Sequence, residues 1–339
     1  RFADGIYLRG FYETAVGEYL VLLRDYPDSE HVPAALYRTG ECYRQMGNQA
    51  GAERFYKRVP AEFPGSPQAP RAELRRAELA IAAGKHEDAA AILNALLMGK
   101  PAADTAAAAS YYLGFSRLKA GDPRGATAAY KRLLEEHGNS PYASYAALDL
   151  AGLNAGDKDQ ETELAGWFEQ AVETAATPAA KAEALFRWGD WAYRRGDYQR
   201  AADTLQALLV ELPDERRARD AQLAAGWSLY YLDRAPEALA LAEKLAAGAA
   251  DAETAASAVY LRANCLRKMN RDGEALTDYE IVVRDYPRTA FAGRAAYEIM
   301  ATRFKRGEYE KVLVAAPAQP EPENEADVLW MRAESERAL

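Results

Sequence analysis

Three kinds of residue in this chain have types suited to chemistry: histidines, a run of acids and a pair of cysteines. His31, His86 and His137 carry the ligand and base chemistry of a metal site or a catalytic triad, yet each falls in or beside a turn of a different segment. They cannot converge, so solvated loop positions are expected for all of them. Asp157, Asp159, Glu161 and Glu163 alternate as the first half of a calcium loop does, but that loop's glycine is missing and Phe168 stands where its closing glutamate belongs. A solvated acidic loop is the expectation. Cys42 and Cys265 are too few for a disulfide framework and read as small buried apolar residues. No phosphate-binding glycine loop and no zinc-spaced pair of Cys or His occurs. The sequence therefore predicts no catalytic residue, no metal and no cofactor.

The elements that would position any site come from a repeating pattern. From Pro33 to Pro64 the chain reads as two helices and a turn: Leu36, Gly40 and Tyr43 share one helical face, Gly47 offers the left-handed residue that ends a helix, and Ala52 and Tyr56 share a face of the next. The alanine of the second helix recurs as Ala15, Ala52, Ala89 and Ala126, then as Ala201, Ala238 and Ala275, with Val312 replacing it once; adjacent steps are 37 residues. In phase with it run the turn residues Gly10, Gly47, Gly84, Gly121, Gly196, Asp233, Asn270 and Gly307, all types that tolerate positive φ. The small residues Ala3, Gly40, Ala77, Gly114, Gly189, Gly226 and Ala263 and the terminating prolines Pro27, Pro64, Pro101, Pro213 and Pro287 keep the same phase. Independent features in one register define a repeat array, and a chain of 339 residues exceeds one ordinary core in any case.

At these positions the chain resembles the tetratricopeptide repeat family, although its period is three residues longer than the family's usual one, close to one helical turn or a longer loop between pairs. Segments such as YETAVGEYLVLLRDYP and ALTDYEIVVRDYP are similar to those of bacterial cell-envelope members, the outer-membrane assembly lipoprotein and the Tol-Pal coordinator. The resemblance implies an all-α, right-handed superhelical solenoid of about nine antiparallel helix pairs. A single solenoid would span residues 1–339, with a truncated repeat one at 1–32, repeats two to four at 33–143, an irregular repeat five at 144–181, repeats six to nine at 182–316, a Pro/acid linker at 317–325 and a terminal or truncated helix at 326–339. Gly152 and Gly156 compete for the turn of repeat five, the expected weak link. Both chain ends fall inside repeats, which suggests a fragment of a longer array.

In the family, first helices line the concave face, so binding positions follow by counting from each repeat's start. The fifth, ninth and twelfth positions, with a neighbour of the last, supply Tyr37, Glu41 and Arg44 in repeat two, Tyr111 and Phe115 in repeat four, Phe186 and Tyr193 in repeat six, Trp227, Tyr230 and Tyr231 in repeat seven, and Tyr260 and Arg267 in repeat eight. These twelve are the candidate partner-binding residues, richest around repeats six and seven. The competing expectation is that the rings only pack neighbouring pairs. The family's chaperone-tail carboxylate clamp needs Lys at the fifth position and Asn at the ninth; only Asn264 matches, so that specificity is not expected.

Charge narrows the partner. With 42 Lys and Arg against 51 Asp and Glu, a net charge of −9 and no basic cluster, nucleic acid is not an expected partner. No run approaches the roughly 20 apolar residues of a membrane span. The expected function is a non-catalytic scaffold for a protein or peptide, periplasmic or outer-membrane associated. A passive spacer, a self-assembling array, the repeat region of a longer enzyme or regulator, and a cytoplasmic location are the alternatives.

Overall fold

The computed structural model describes residues 2–156, 161–249, 251–315 and 324–339. Asp157, Asp159 and most of the Pro/acid linker lie outside the described residues. The described residues form nineteen α-helices and no strand.

The chain divides into two compact units, residues 1–176 and 177–339. The first contains α1 (Phe2–Leu8), α2 (Tyr12–Asp25), α3 (Val32–Gln45), α4 (Gln49–Glu62), α5 (Gln68–Ala82), α6 (His86–Met98), α7 (Ala103–Lys119), α8 (Pro123–His137), α9 (Ala143–Asn154) and α10 (Glu161–Glu173). The second contains α11 (Pro178–Arg194), α12 (Tyr198–Glu211), α13 (Ala218–Tyr231), α14 (Ala235–Ala247), α15 (Ala252–Lys268), α16 (Asp272–Asp285), α17 (Ala290–Lys305), α18 (Tyr309–Ala315) and α19 (Glu325–Ala338). Odd-numbered helices are the first of each pair, and within each unit every helix packs on its sequence neighbours. First helices also touch the first helix of the next pair, as α11 does α13 and α15 does α17, while second helices make no comparable contact with one another. First helices therefore form the inner wall of each unit, as a tetratricopeptide solenoid requires.

The turns follow from local chemistry. All eight expected turn residues have positive φ, including Asp233 and Asn270 at 61°. Each closes the first helix in the same way. Gly47 N–H donates to Arg44 O at 3.0 Å and Asn48 N–H to Tyr43 O at 2.9 Å, the paired bonds that satisfy orphaned carbonyls at a helix end. Asn48, Asp122 and Asp197 then cap the second helix, accepting from Gly51, Gly125 and Arg200 N–H.

The lattice alanines lie inside the core, with Ala15, Ala52, Ala89, Ala126, Ala201 and Ala238 at 0% exposure. Glycine on a first helix admits a large side chain from the second. A Cβ on Gly40 would lie 2.6 Å from the Tyr56 ring, and one on Gly114 or Gly189 would collide with Tyr130 or Leu205. Gly226 works differently, since the side chain it admits is Leu261 of the following pair.

The register of the sequence pattern differs from the helices at two places. First helices begin before the expected repeat starts, most of all α7, α11 and α15, each of 17 residues, where α3 and α13 have 14. Part of the lengthened period is thus an extra helical turn. In repeat five, α9 runs through Gly152, and the turn begins at Ala155 and Gly156. Two smaller expectations also change. His86 opens α6 and sets its ring edge-on to Phe115, centroids 6.2 Å apart, so it is half-buried. Glu163 belongs to the first turn of α10, where its carboxylate pairs with Lys131 at 3.2 Å.

Candidate functional site

The richest concave surface lies in the second unit, where α11, α13, α15 and α17 line a groove of about 590 Å³. Six of the twelve candidate residues converge there: Tyr193 from α11, Trp227, Tyr230 and Tyr231 from α13, and Tyr260 and Arg267 from α15. Their rings form a continuous path. Tyr193 and Tyr231 have centroids 6.4 Å apart, Tyr231 and Trp227 6.1 Å, Trp227 and Tyr260 6.1 Å, and Tyr260 and Phe291 5.6 Å. Tyr198 of α12 supports the path from behind, stacked on Tyr231 at 4.5 Å. Most interplanar angles are tilted or edge-on, as the ring quadrupole favours.

Polar groups fill the floor. Arg267 donates to Glu298 of α17 and to Asn264 Oδ1, whose own amide donates to Tyr260 O at 2.8 Å. Burial raises the Glu298 carboxyl above the usual range, and the opposing charge of Arg267 does not offset it. Burial first, then the Glu298 charge, pushes Tyr260 up to about 12, so its hydroxyl stays a donor at neutral pH. At the rim Lys268 donates to Tyr230 O at 2.6 Å, pairs with Asp233 at 2.6 Å and lies 4.4 Å from the Tyr230 ring centre.

The other six candidates are dispersed. The Phe186 ring faces the Arg217 guanidinium, 4.7 Å away, outside the groove. Tyr37 and Glu41 line a separate cavity of about 550 Å³ in the first unit, with Arg38, Arg71 and Arg75. Glu41 is 4% exposed and engaged internally, accepting from Tyr56 Oη at 2.5 Å and from Arg44 and Arg75 at 3.1 Å each. Burial would raise its carboxyl, yet the hydrogen bonds from Tyr56 and Arg44 and the charges of Arg75 and Arg44 hold it below the ordinary value. Arg44 is thus tied to Glu41. Tyr37 packs on Tyr56 at 5.7 Å; Tyr111 sits among Tyr112, Tyr130, Tyr142 and Tyr145, all within 6.0 Å. Phe115 packs on His86, with Lys119 Nζ 5.6 Å from its ring centre.

Counting by fifth, ninth and twelfth positions missed Phe291, Arg294 and Glu298, which also line the groove. The missing signal was the second and sixth positions, which supply Arg294 and Glu298 here and Arg71 and Arg75 to the first-unit cavity. These residues, one turn apart on the following first helix, face back across the inner wall.

No cluster of metal-ligating side chains exists among the described residues. Cys42 and Cys265 are buried free thiols. Among the described residues no helix is long and apolar enough to cross a membrane.

Paired helices, left-handed turn residues and an inner wall of first helices define a helical-repeat solenoid with a ring-lined groove. The fold is that of a tetratricopeptide-repeat solenoid. The tetratricopeptide repeat profile matches residues 34–66 and 108–140, and that of an outer membrane lipoprotein family, YfiO, matches residues 178–316, the stretch that holds every lining residue of the groove but Asn324. Among solved structures, PilF of Pseudomonas aeruginosa is 17% identical, with 65% of this chain and 93% of that chain covered at a TM-score of 0.50. A signal-transduction ATPase with a tetratricopeptide repeat sensor from Pyrococcus horikoshii is 14% identical, with 95% of this chain and 52% of that chain covered at 0.52. This chain thus spans about half the length of the second. No curated protein matches the sequence significantly.

Proposed function

We propose that this protein is a non-catalytic scaffold that holds a peptide segment of a partner protein in the groove of its second unit. The observation that carries this reading is the continuous ring path from Tyr193 through Tyr231, Trp227 and Tyr260 to Phe291, open to solvent along a groove of about 590 Å³. Rings lose little conformational entropy on binding and supply large contact area, which suits them to anchor a segment of modest length. Tetratricopeptide repeats mediate protein–protein association as a family, and the outer membrane lipoprotein match supports a place in a bacterial envelope.

Selection of a displayed peptide library on the purified chain tests the reading. Enriched peptides should lose binding to a Trp227→Ala, Tyr230→Ala double variant whose helical circular dichroism is unchanged. Enrichment that survives both substitutions would move the binding surface elsewhere. One observation favours a second reading for the first unit: Glu41 and Arg44, both on expected binding positions, are committed to each other and to Tyr56, the behaviour of a spacer. Light scattering that rises with protein concentration, and is unmoved by the double variant, would instead support a self-assembling array.

A further inference from the structure

Seven of the twelve described residues lining the second-unit groove carry aromatic rings. The charged ones are already committed: Arg267 to Glu298 and Asn264, and Arg294 to the Phe291 ring, 6.0 Å away, and to a further contact. At the rim Lys268 is held by Asp233. The lining therefore offers flat ring faces and neutral donors rather than a free charge. Trp227 brings an indole N–H, which donates and cannot accept, and Tyr231, 47% exposed, brings a hydroxyl.

The walls also restrict the backbone form of a ligand. They are helices, whose N–H and C=O groups bond within the helix, and the described residues contain no strand edge. A β-strand laid there would find no ladder, and its N–H groups facing the wall would go unpaired. A helical ligand keeps its carbonyls for its own N–H groups, leaving the indole and hydroxyl donors unanswered. A polyproline II segment avoids both costs, because proline has no N–H and the carbonyls of that conformation have no internal partner. Spacing agrees with it. The ring-to-ring steps from Tyr193 to Phe291 are 6.4, 6.1, 6.1 and 5.6 Å, and two residues of polyproline II rise about 6.2 Å.

Resting on the scaffold reading above, we infer that the groove takes a proline-rich segment of its partner in the polyproline II conformation, with pyrrolidine rings on Tyr231, Trp227 and Tyr260 and carbonyls accepting from the Trp227 indole and the Tyr231 hydroxyl. Such a segment is ordered before it binds, so it loses little entropy in the groove.

Fluorescence anisotropy with labelled, end-capped decaproline tests the inference against a capped amphipathic helical peptide of leucine, alanine and glutamine. Decaproline should bind the wild-type chain about tenfold more tightly than the helical peptide. Trp227→Ala and the more exposed Tyr231→Ala, each with unchanged helical circular dichroism, should weaken decaproline about tenfold, while Tyr37→Ala in the first unit should leave it as it was. If the helical peptide binds as tightly as decaproline and loses binding with Trp227→Ala, the proline inference is wrong and the scaffold reading stands. Decaproline binding that survives both groove substitutions overturns the assignment to this groove. If neither peptide binds, the proline inference falls and the display selection alone decides the scaffold reading.

Discussion

Glu41 Oε1 accepts from Tyr56 Oη of its own helix pair at 2.5 Å and from Arg75 Nε of the next pair at 3.1 Å. One buried oxygen therefore ties α3 to α4 and to α5. The second unit uses the same inter-pair span on a more exposed carboxylate, where Glu183 accepts from Arg217 at 2.7 Å, again 34 residues away.

Because Glu41 is held below its unfolded value of 4.5, its ionised form stabilises the fold. That contribution is fully present above pH 4.5 and is lost as pH falls through the lowered folded value. Urea midpoints measured at pH 7 and in the acid range should show Glu41→Gln with a shallower acid decline than the wild type. Tyr56→Phe, which removes one donor from a buried carboxylate, should cost about 1–3 kcal/mol at pH 7.

Glycines that admit a neighbouring side chain should not tolerate enlargement. Gly114→Leu and Gly189→Leu are each expected to cost about 1–3 kcal/mol by overpacking against Tyr130 and Leu205. Gly17 and Gly166 lie in helices with open space where a Cβ would go. Their replacement by alanine should stabilise by roughly 0.5–1 kcal/mol through helix propensity. Thermal unfolding of the four variants checks the contrast, and an unchanged melt for both leucine variants would overturn the lattice register.

Asn270 adopts φ 61° at a turn where six other pairs use glycine. Asn270→Gly should therefore raise stability by a few tenths to about 1 kcal/mol, while Gly47→Ala should lower it by a similar amount. Denaturant midpoints at equal m-value would measure both.

The two thiols offer a separate reporter in each unit. Burial pushes Cys42 up to about 11 and Cys265 up to about 12, so neither forms thiolate at neutral pH. Pulsed iodoacetamide labelling along a urea gradient, read by peptide mass, should leave both unmodified in the native chain and time the opening of each unit independently. Rapid native labelling of either thiol would contradict its burial.

The repeat lattice was legible because its causes are local. A residue that tolerates positive φ, an alanine that lets helices approach and a proline that stops a helix each act within a few residues, so their spacing alone determined helix pairs, turns and the buried alanine column. Tyr193, Trp227, Tyr230, Tyr231, Tyr260 and Arg267 were found by the same counting, since a first helix repeats its inward face. What each polar residue does was decided only by packing between pairs. Glu41, on a counted position, and Glu298, on one the count passed over, both line inner cavities, yet Glu41 lies under three donors and is held ionised, whereas Glu298 meets one guanidinium in a buried setting and is raised. Burial and partner count at such sites depend on side chains more than 30 residues away, as with Arg75 for Glu41 and Arg267 for Glu298. Only the folded inner wall brings those charges together.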